Sequence, residues 1–391
     1  MTRIARLVEV HRLAVAGGEV GIARDVGRRV SRVWLRTSRF ADVARIAELT
    51  LTLGPDAGAL YDLGWAQQAT GRRREALALY EQALALCQTA NNRWNEAATL
   101  SSIGLVYDSL GERARALEYF EQSLPIAREV GDRAGEAATL NNVGQVYDHL
   151  GERGRALEHY RQSLPLTREV GDRAGEATTL NNIGAVYNGL GERGRALKYY
   201  HQALPVLREV GDRAGEAATL NNIGLAYRQL GELERALEYY QQALPIRREV
   251  GDRAGEAATL NNIGLVCDGL GDRGRALEYF QQALPLTREV GDRAGEAVTL
   301  NNVSAIQFRQ GDLEGALTTL RGVLELIRAV CDQAAEAQIS FNMAILLHQM
   351  RRMDEAITFL TQAIALAERT GHPSLGQMQA FRGQIEGTAK G

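Results

Sequence analysis

Residues 131–142 read GDRAGEAATLNN, and this stretch returns at a fixed interval along the chain. Close copies begin at Gly171, Gly211, Gly251 and Gly291, each 40 residues after the one before. A constant period of this length is typical of proteins built from stacked structural repeats. Each unit of such a protein packs mainly against its neighbours, so a chain of 391 residues can form one continuous core.

The pattern within one period predicts two helices. Asp132 can accept hydrogen bonds from the free N–H groups of a first helical turn, which makes it a candidate N-cap. Gly151 is suited to the left-handed residue that ends a helix, and a second helix then runs to about Val170. The apolar positions of the first helix fall at helical spacing on one face: Leu140, Val143, Tyr147 and Leu150. The chain is therefore predicted to be all-α, a solenoid of helix-turn-helix repeats.

The regular register divides the chain into three parts. Eight units of 40 residues are predicted between a degenerate helical repeat or cap at the N-terminus and a capping helix with a frayed tail at the C-terminus. Two helices are expected in the N-terminal part, and the last helix is expected to end near Glu386. The predicted parts are 1–54, 55–372 and 373–391; the two N-terminal helices are 20–36 and 39–53, and the tail is 387–391.

Composition and charge exclude several classes of protein. Hydrophobic content is 45% and the formal net charge is -3, which argues against a general nucleic-acid binder. Residues 1–50 hold ten arginines against five acidic residues, a basic segment that can be a solvated helix face or a contact for an acidic partner. The N-terminus has no signal-peptide core, and no apolar run approaches the ~18 residues of a membrane span. A cytoplasmic protein that does not bind membranes is expected.

Motifs of catalysis or of metal and cofactor binding are not found. The many glycines mark periodic turns and do not form a phosphate-binding G-x-x-x-x-G-K-[ST] loop. His149 and His159 lie ten residues apart, which is not the spacing of paired metal ligands on a helix. The Arg and Glu residues of TREVGDR are interpreted as solvent-facing ion pairs that each contribute little. We therefore expect no catalytic residue, no cofactor and no metal.

At these positions the sequence resembles the tetratricopeptide repeat family. The residues that carry the resemblance are Leu140, Val143, Gly144, Tyr147, Gly151, Ala156, Tyr160 and Ser163, and it extends over eight units, from residue 57 to about 372. The 40-residue form with an Asn pair is similar to the arrays of kinesin light chains, G-protein-signalling modulators, bacterial STAND-type signalling ATPases and peptide-pheromone receptors. The resemblance implies a right-handed superhelix whose first helices line a concave groove for an extended peptide or a partner protein.

The resemblance also implies that Asn residues of the first helices bind the peptide backbone. A carboxamide has a donor and an acceptor, so it can pair with a peptide group without reading sequence. The second Asn of each pair forms the expected row: Asn142, Asn182, Asn222, Asn262, Asn302 and Asn342. The first Asn can widen it: Asn141, Asn181, Asn221, Asn261 and Asn301. The alternative is that these residues bond neighbouring helices. The row is interrupted at the ends, where Asp62, Ser102 and Phe341 stand in Asn positions.

Specificity is expected where the copies differ. Near the end of the first helix the repeats carry unlike polar side chains, which represent either tuned contacts or drift. The candidates for partner contact are Asp148, His149, Asn188, Arg228, Gln229, Asp268 and Arg309.

The sequence therefore predicts a non-catalytic scaffold that binds a peptide segment or a partner protein. An alternative is the sensor or autoinhibitory portion of a bacterial STAND-type signalling ATPase or transcription regulator, with its nucleotide-binding core outside this sequence. A third hypothesis is a hydrolase or nucleic-acid binder that uses the Arg-rich N-terminus. Self-association is also open, because nearly identical units can stack end to end.

Overall fold

A computed structural model describes residues 3–388 of the protein, and this part of the chain contains twenty α-helices and no strand. The first ten are α1 (Arg3–Ala16), α2 (Val20–Arg36), α3 (Phe40–Leu51), α4 (Ala57–Ala69), α5 (Arg73–Thr89), α6 (Arg93–Ser109), α7 (Arg113–Glu129), α8 (Arg133–His149), α9 (Arg153–Glu169) and α10 (Arg173–Gly189). The others are α11 (Arg193–Val210), α12 (Arg213–Gln229), α13 (Leu233–Glu249), α14 (Arg253–Gly269), α15 (Arg273–Glu289), α16 (Arg293–Arg309), α17 (Leu313–Ala329), α18 (Gln333–Gln349), α19 (Met353–Thr370) and α20 (Leu375–Thr388). The prediction of an all-α repeat protein is confirmed.

The chain folds into two compact units, which divide after Glu192. From α4 to α19, even-numbered helices are the first helices of their repeats and are called A helices; odd-numbered helices are called B helices. Within each unit an A helix packs on the B helices before and after it. Successive A helices also touch, as α6, α8 and α10 do in one unit and α12, α14 and α16 in the other. The surface that the A helices form in each unit is called the A face.

Turns and caps form as the repeat pattern predicts. The Asp132 side chain accepts a hydrogen bond from the backbone N–H of Gly135 at 2.9 Å and so caps α8. Gly151 has φ of 78°, a left-handed conformation that glycine adopts without steric cost. Both features recur through the array and keep the helices of successive repeats at nearly equal length.

Close packing within a repeat depends on a glycine that faces an aromatic ring. A Cβ atom placed on Gly144 of α8 would lie 2.7 Å from a ring carbon of Tyr160 in α9. Tyr160 is 1% exposed and Ala156, on the same helix, is fully buried. The same pairing recurs at Gly64–Tyr80, Gly104–Phe120, Gly224–Tyr240 and Gly264–Phe280. The aromatic ring can lie under the A helix only because the residue above it has no side chain.

A buried glutamate near the start of an A helix joins it to the preceding B helix in the middle repeats of the array. Glu176 is 4% exposed, and its carboxylate accepts hydrogen bonds from Arg168 Nε of α9 at 2.7 Å and from Arg173 of its own helix. Glu136, Glu216 and Glu256 are held in the same way by their own pairs of arginines. We call this arrangement the glutamate clamp. This glutamate lies outside the TREVGDR stretch whose charged residues were predicted to face solvent; in that stretch Glu169 is exposed and Arg168 and Arg173 are half exposed.

Both ends of the array differ in part from the sequence prediction. The N-terminal segment contains α1 in addition to the two helices expected there, and α2 contacts α4 in the way that successive A helices do. At the other end, Met378 and Ile385 of α20 are fully buried against the last repeat. Because α20 continues to Thr388, two residues of the expected tail are helical, and 389–391 lie outside the described residues.

In residues 3–388, none of the helices combines the length and the apolar character that crossing a membrane requires.

Candidate functional site

The Asn pairs lie on the A face, and every member of both predicted rows is partly exposed. Their positions near the middle of each A helix follow from the 40-residue register. In four places the Nδ2 of the second Asn donates to the Oδ1 of the first Asn in the preceding repeat. These bonds are Asn182 to Asn141 (3.2 Å), Asn262 to Asn221 (3.2 Å), Asn302 to Asn261 (3.0 Å) and Asn342 to Asn301 (3.2 Å). The Asn residues therefore do link neighbouring helices, as the alternative interpretation expects.

Each link uses only part of the hydrogen-bonding capacity of its two amides. A carboxamide offers two N–H donors and an oxygen with two lone pairs. Asn182 retains one N–H and its oxygen, whereas Asn141 retains both of its N–H groups. The Oδ1 of Asn141 also lies 3.3 Å from the Thr179 hydroxyl, whose closer acceptor is the backbone oxygen of Gly175 at 2.9 Å. The row is thus held in place by its own bonds and still presents donors and acceptors at the surface.

The ends of the row have a different chemistry. Asn142 makes no side-chain hydrogen bond within residues 3–388, and it borders a recess of about 230 Å³ together with Ser101 and Thr139. In the two repeats before it, the Tyr61 hydroxyl bonds the Ser102 hydroxyl at 2.9 Å in place of an Asn–Asn link. Phe341 is buried at 7% exposure, so it contributes to the core and not to the surface.

The variable positions are brought together only in part. Arg309 forms an ion pair with Asp268 of the preceding repeat, and both were predicted to contact a partner. His149 Nδ1 lies 3.5 Å from Asp108 Oδ1, a residue outside the predicted set. Gln229 is exposed. The structure thus shows one ion pair across repeats at the end of the A helices, between Arg309 and Asp268.

Two other predicted residues in this region, Arg228 and Asp148, lie close to the buried tyrosine of their own repeat. Burial raises the pKa of Tyr240 to about 12, and the neighbouring Arg228 guanidinium partly offsets that effect. Burial likewise raises the pKa of Tyr160, and the Asp148 carboxylate adds to the increase. Asn188 has a buried Oδ1 with no hydrogen-bond partner in the described structure. These positions therefore lie near buried groups as well as at the surface, which the sequence periodicity alone did not indicate.

Sequence reasoning missed a recess of about 420 Å³ between α2, α4 and α6. Arg28, Arg32, Tyr61, Asp62 and Trp65 line it. Trp65 is 45% exposed, which is uncommon for so large an apolar side chain. Burial raises the pKa of Asp62 to about 6, while the Ser31 hydroxyl and the two arginines act in the opposite direction. The available signal was a tryptophan at a position where other repeats carry smaller residues.

A second recess that sequence reasoning missed has a volume of about 350 Å³ and lies on the A face between α16 and α18. Its walls include Phe308, Leu320 and Ile345, and Asn301 and Asn342 border it. The available signal was Leu320, which stands where all six earlier repeats carry Tyr or Phe.

The Arg-rich N-terminal segment is neutralised in part by internal ion pairs. Among the side chains that the structure describes here, four arginines contact carboxylates: Arg12 with Glu9, Arg24 with Asp56, Arg29 with Asp25 and Arg39 with Asp42. The pairs support the interpretation of this segment as the polar face of amphipathic helices.

Several histidines make ring or hydrogen-bond contacts within the fold. His159 stacks on Tyr147 with ring centroids 5.4 Å apart, and burial lowers its pKa. Across the described range 3–388, no group of three His, Cys, Asp or Glu side chains is arranged to hold a metal ion.

Family models match most of the chain, whereas a comparison with curated proteins finds no match. Models described as tetratricopeptide repeat match residues 59–97, 95–169, 175–249, 216–289 and 295–369.

Solved structures with a similar fold share little sequence with this chain. A STAND protein with a tetratricopeptide repeat sensor from Pyrococcus horikoshii has a TM-score of 0.71 at 14% identity; the match covers 88% of this chain and 53% of that one. The apo form of the quorum sensor NprR from B. thuringiensis has a TM-score of 0.64 at 17% identity, with 88% and 99% covered. Aspartyl phosphate phosphatase F from Bacillus subtilis has a TM-score of 0.57 at 14% identity, with 93% and 94% covered. At these identities the likeness shows the fold alone.

Proposed function

The chain belongs to the tetratricopeptide repeat family, and from this premise we propose that it is a non-catalytic scaffold that binds an extended peptide segment of a partner protein on the A face. The observation that carries the proposal is the row of partly exposed carboxamides. Their mutual bonds hold them in a fixed orientation, and each link leaves donors and acceptors for a ligand. An extended main chain offers the matching groups at regular intervals.

Preorganisation is the physical advantage of this arrangement. Because Asn182 and Asn262 are already bonded to the preceding repeat, little side-chain entropy is lost when a peptide binds. Main-chain recognition by amides is independent of the ligand sequence, so selectivity has to come from neighbouring side chains. Asp148, His149, Asn188, Arg228, Gln229, Asp268 and Arg309 are proposed for that role.

The experiment uses a displayed library of random heptapeptides selected against the whole protein. Peptides that bind the wild type are then titrated against the triple variant Asn182→Ala, Asn222→Ala, Asn262→Ala. We expect at least a tenfold loss of affinity, because each lost hydrogen bond contributes about 0.5–1.5 kcal/mol. Circular dichroism checks that the helices are retained.

The control moves the same chemical change to the B helices. Gln162, Gln242 and Gln282 are exposed carboxamides there, and their joint replacement by Ala should leave peptide affinity unchanged. Equal loss in both triple variants, or unchanged affinity in the Asn variant, would contradict the proposal. A library that yields no binder to the wild type would contradict it as well.

A second candidate function is the sensor portion of a STAND-type regulator. The specific observation in its favour is the likeness to a STAND protein, of whose length this chain spans about half (53%). A nucleotide-binding core encoded in the same reading frame would support this candidate. The A face would remain the ligand surface, so the two candidates differ in what binding controls and not in where it occurs.

A further inference from the structure

The seventh repeat departs from the others at the place where its A and B helices pack. In most repeats a glycine of the A helix lies over a buried Tyr or Phe; a Cβ atom added to Gly264, for example, would lie only 2.5 Å from the ring of Phe280. The seventh repeat has Ser304 and Leu320 at these two positions. A leucine side chain is shorter than a phenyl ring, so it ends before it reaches the A face. The space that the ring occupies elsewhere is therefore open in this repeat.

Neighbouring substitutions turn that space into an apolar pocket. Phe308 stands where the earlier repeats carry Gln, Asp, Asn or Arg, and Ala305 stands where three of them carry Leu. The first change supplies an apolar wall and the second widens the mouth. The pocket has a volume of about 350 Å³, within the ~300–1,000 Å³ range of small ligand sites. Ile345 and Leu346 of the following A helix close its far side.

Polar groups border the mouth of the pocket, and one charged side chain, Arg309, also lines it, with its guanidinium paired to Asp268. Asn301 and Asn342 lie there and are bonded to each other at 3.2 Å, as part of the amide row. The Ser304 hydroxyl is satisfied by the backbone oxygen of Asn301 at 2.8 Å, so it presents no unmet hydrogen bond to the cavity. Main-chain groups of an extended ligand would meet the amides while one side chain enters the recess.

We propose that this pocket receives one apolar side chain of the bound peptide, of the size of Leu, Ile, Met or Phe, and anchors the peptide in register on the A face. The inference rests on the proposed function, and it adds a specificity-determining site that the amide row by itself lacks. A charged or strongly polar side chain is disfavoured, because the other walls are apolar and the Arg309 guanidinium that also lines the pocket is already paired with Asp268. Burial of three additional carbons favours Leu over Ala by at least tenfold, at about 0.8 kcal/mol per carbon.

The test reads the pocket directly with capped amino acids. Methyl NMR of the whole protein follows Leu320, Ile345 and Leu346 while N-acetyl-leucinamide or N-acetyl-alaninamide is added. We expect saturable shifts with the leucine probe and at least tenfold weaker binding of the alanine probe. Absence of shifts with the leucine probe would overturn the proposal.

Two variants test whether the shifts caused by the leucine probe arise from this pocket. Ser304→Gly with Leu320→Phe restores the packing pair of the sixth repeat and should fill the pocket. Ala305→Leu restores a residue found at the same place in earlier repeats, and because Ala305 is exposed it should narrow the mouth without disturbing the core. Both should abolish the shifts; shifts that persist in Ala305→Leu contradict the assignment even if the double variant fails to fold.

Selected heptapeptides separate this inference from the proposed function. Peptides that bind the wild type should share an apolar residue at one position and lose at least tenfold in affinity for Ala305→Leu. Peptides that lose affinity for the Asn variant but bind Ala305→Leu normally would overturn the anchor pocket and leave the proposed function intact. If no peptide binds the wild type, the proposed function and the anchor pocket are both contradicted, whatever shifts the capped amino acids cause.

Discussion

At the scale of single residues, the glutamate clamp shows how one buried charge can join two helices. The Glu176 carboxylate loses its hydration at the junction of α9 and α10 and is paired instead with the guanidinium groups of Arg168 and Arg173. For the equivalent Glu136, burial raises the pKa of the carboxyl, but Arg128 and Arg133 together lower it below its ordinary value. The carboxylate is therefore ionised at neutral pH and is held by charge-assisted hydrogen bonds, which are stronger than neutral ones.

Replacement of Glu176 by Gln should weaken the junction between α9 and α10. Glutamine keeps the size but loses the charge, and a hydrogen bond to a charged group contributes about 1.5–3 kcal/mol. We expect native-state hydrogen exchange to show a loss of about 1–3 kcal/mol of local stability in the two helices. Glu169→Gln, an exposed change at the end of the same B helix, serves as the control and should have little effect. Equal exchange rates in both variants would show that the clamp is not stabilising.

Asp62 should give the N-terminal repeats a pH-dependent stability. Its folded-state pKa of about 6 lies above the ordinary value of 3.8 mainly because of burial, with Asp56 adding to the increase and Ser31 and the arginines opposing it. The folded state therefore binds more protons than the unfolded state between these pH values, and stability falls as pH rises from about 4 to about 6. A shift of this size corresponds to roughly 3 kcal/mol.

Thermal unfolding at several pH values can test this assignment. Asp62→Asn should unfold at a higher temperature than the wild type at pH 7, and the difference should vanish near pH 4. Asp25→Asn, on the exposed side of α2, is the control and should follow the wild-type curve. If the variant and the wild type differ equally at pH 4 and pH 7, titration of Asp62 is not the cause.

At the scale of helices, the glycine and the aromatic ring that face each other form a matched pair. The eighth repeat carries Ala344 and Leu360 where others carry Gly and Tyr or Phe, and both residues are buried. In this repeat a larger residue in the A helix, Ala in place of Gly, thus occurs with a smaller residue in the B helix, Leu in place of Tyr or Phe. The contact between A and B helices depends on the total volume of the pair more than on either residue alone.

A double-mutant cycle in the third repeat measures this dependence. Gly144→Ala should cost about 1–2 kcal/mol, because its Cβ would overlap a ring that is fully enclosed. Tyr160→Leu should reduce the cost of that change, with a coupling of about 0.5–3 kcal/mol. Gly154→Ala, which meets open space in the first turn of α9, is the control and should be neutral or stabilising. Additive effects of the first two changes would contradict the matched-pair model.

At the scale of the whole chain, the 40-residue periodicity predicted the features that recur in each repeat. It did not predict features without a counterpart in the array or features that depend on packing between helices. The helices of the eight units, the Asp132 cap and the Gly151 turn followed from spacing, because each is a local rule that recurs every 40 residues. Helix α1 was missed because its segment has no counterpart in the array. The burial of Glu176 was missed because it depends on packing between consecutive helices, which a single helix pattern does not contain.

The candidate site was predictable to a similar degree. The Asn rows were located from sequence, but the bonds between them depend on the lateral distance of successive A helices. The pocket beside Phe308 was missed because the departures of Leu320 and Phe308 from the other repeats indicate a cavity only when they are considered together. It arises from the combination of Leu320, Ala305 and Phe308, and that combination becomes visible only when the seventh repeat is superimposed on its neighbours.

The glutamate clamp has a consequence for how such a chain can change its length. Removal of residues 253–292 would place Arg293 directly after Asp252, and Arg248 would then meet Glu296, a glutamate that already pairs with an equivalent arginine in Arg288. The new junction would use the same residue types as the old one. Recombination between nearly identical gene segments can therefore yield shorter or longer folded chains in one step, and the number of A helices offered to a ligand becomes an inherited trait open to selection.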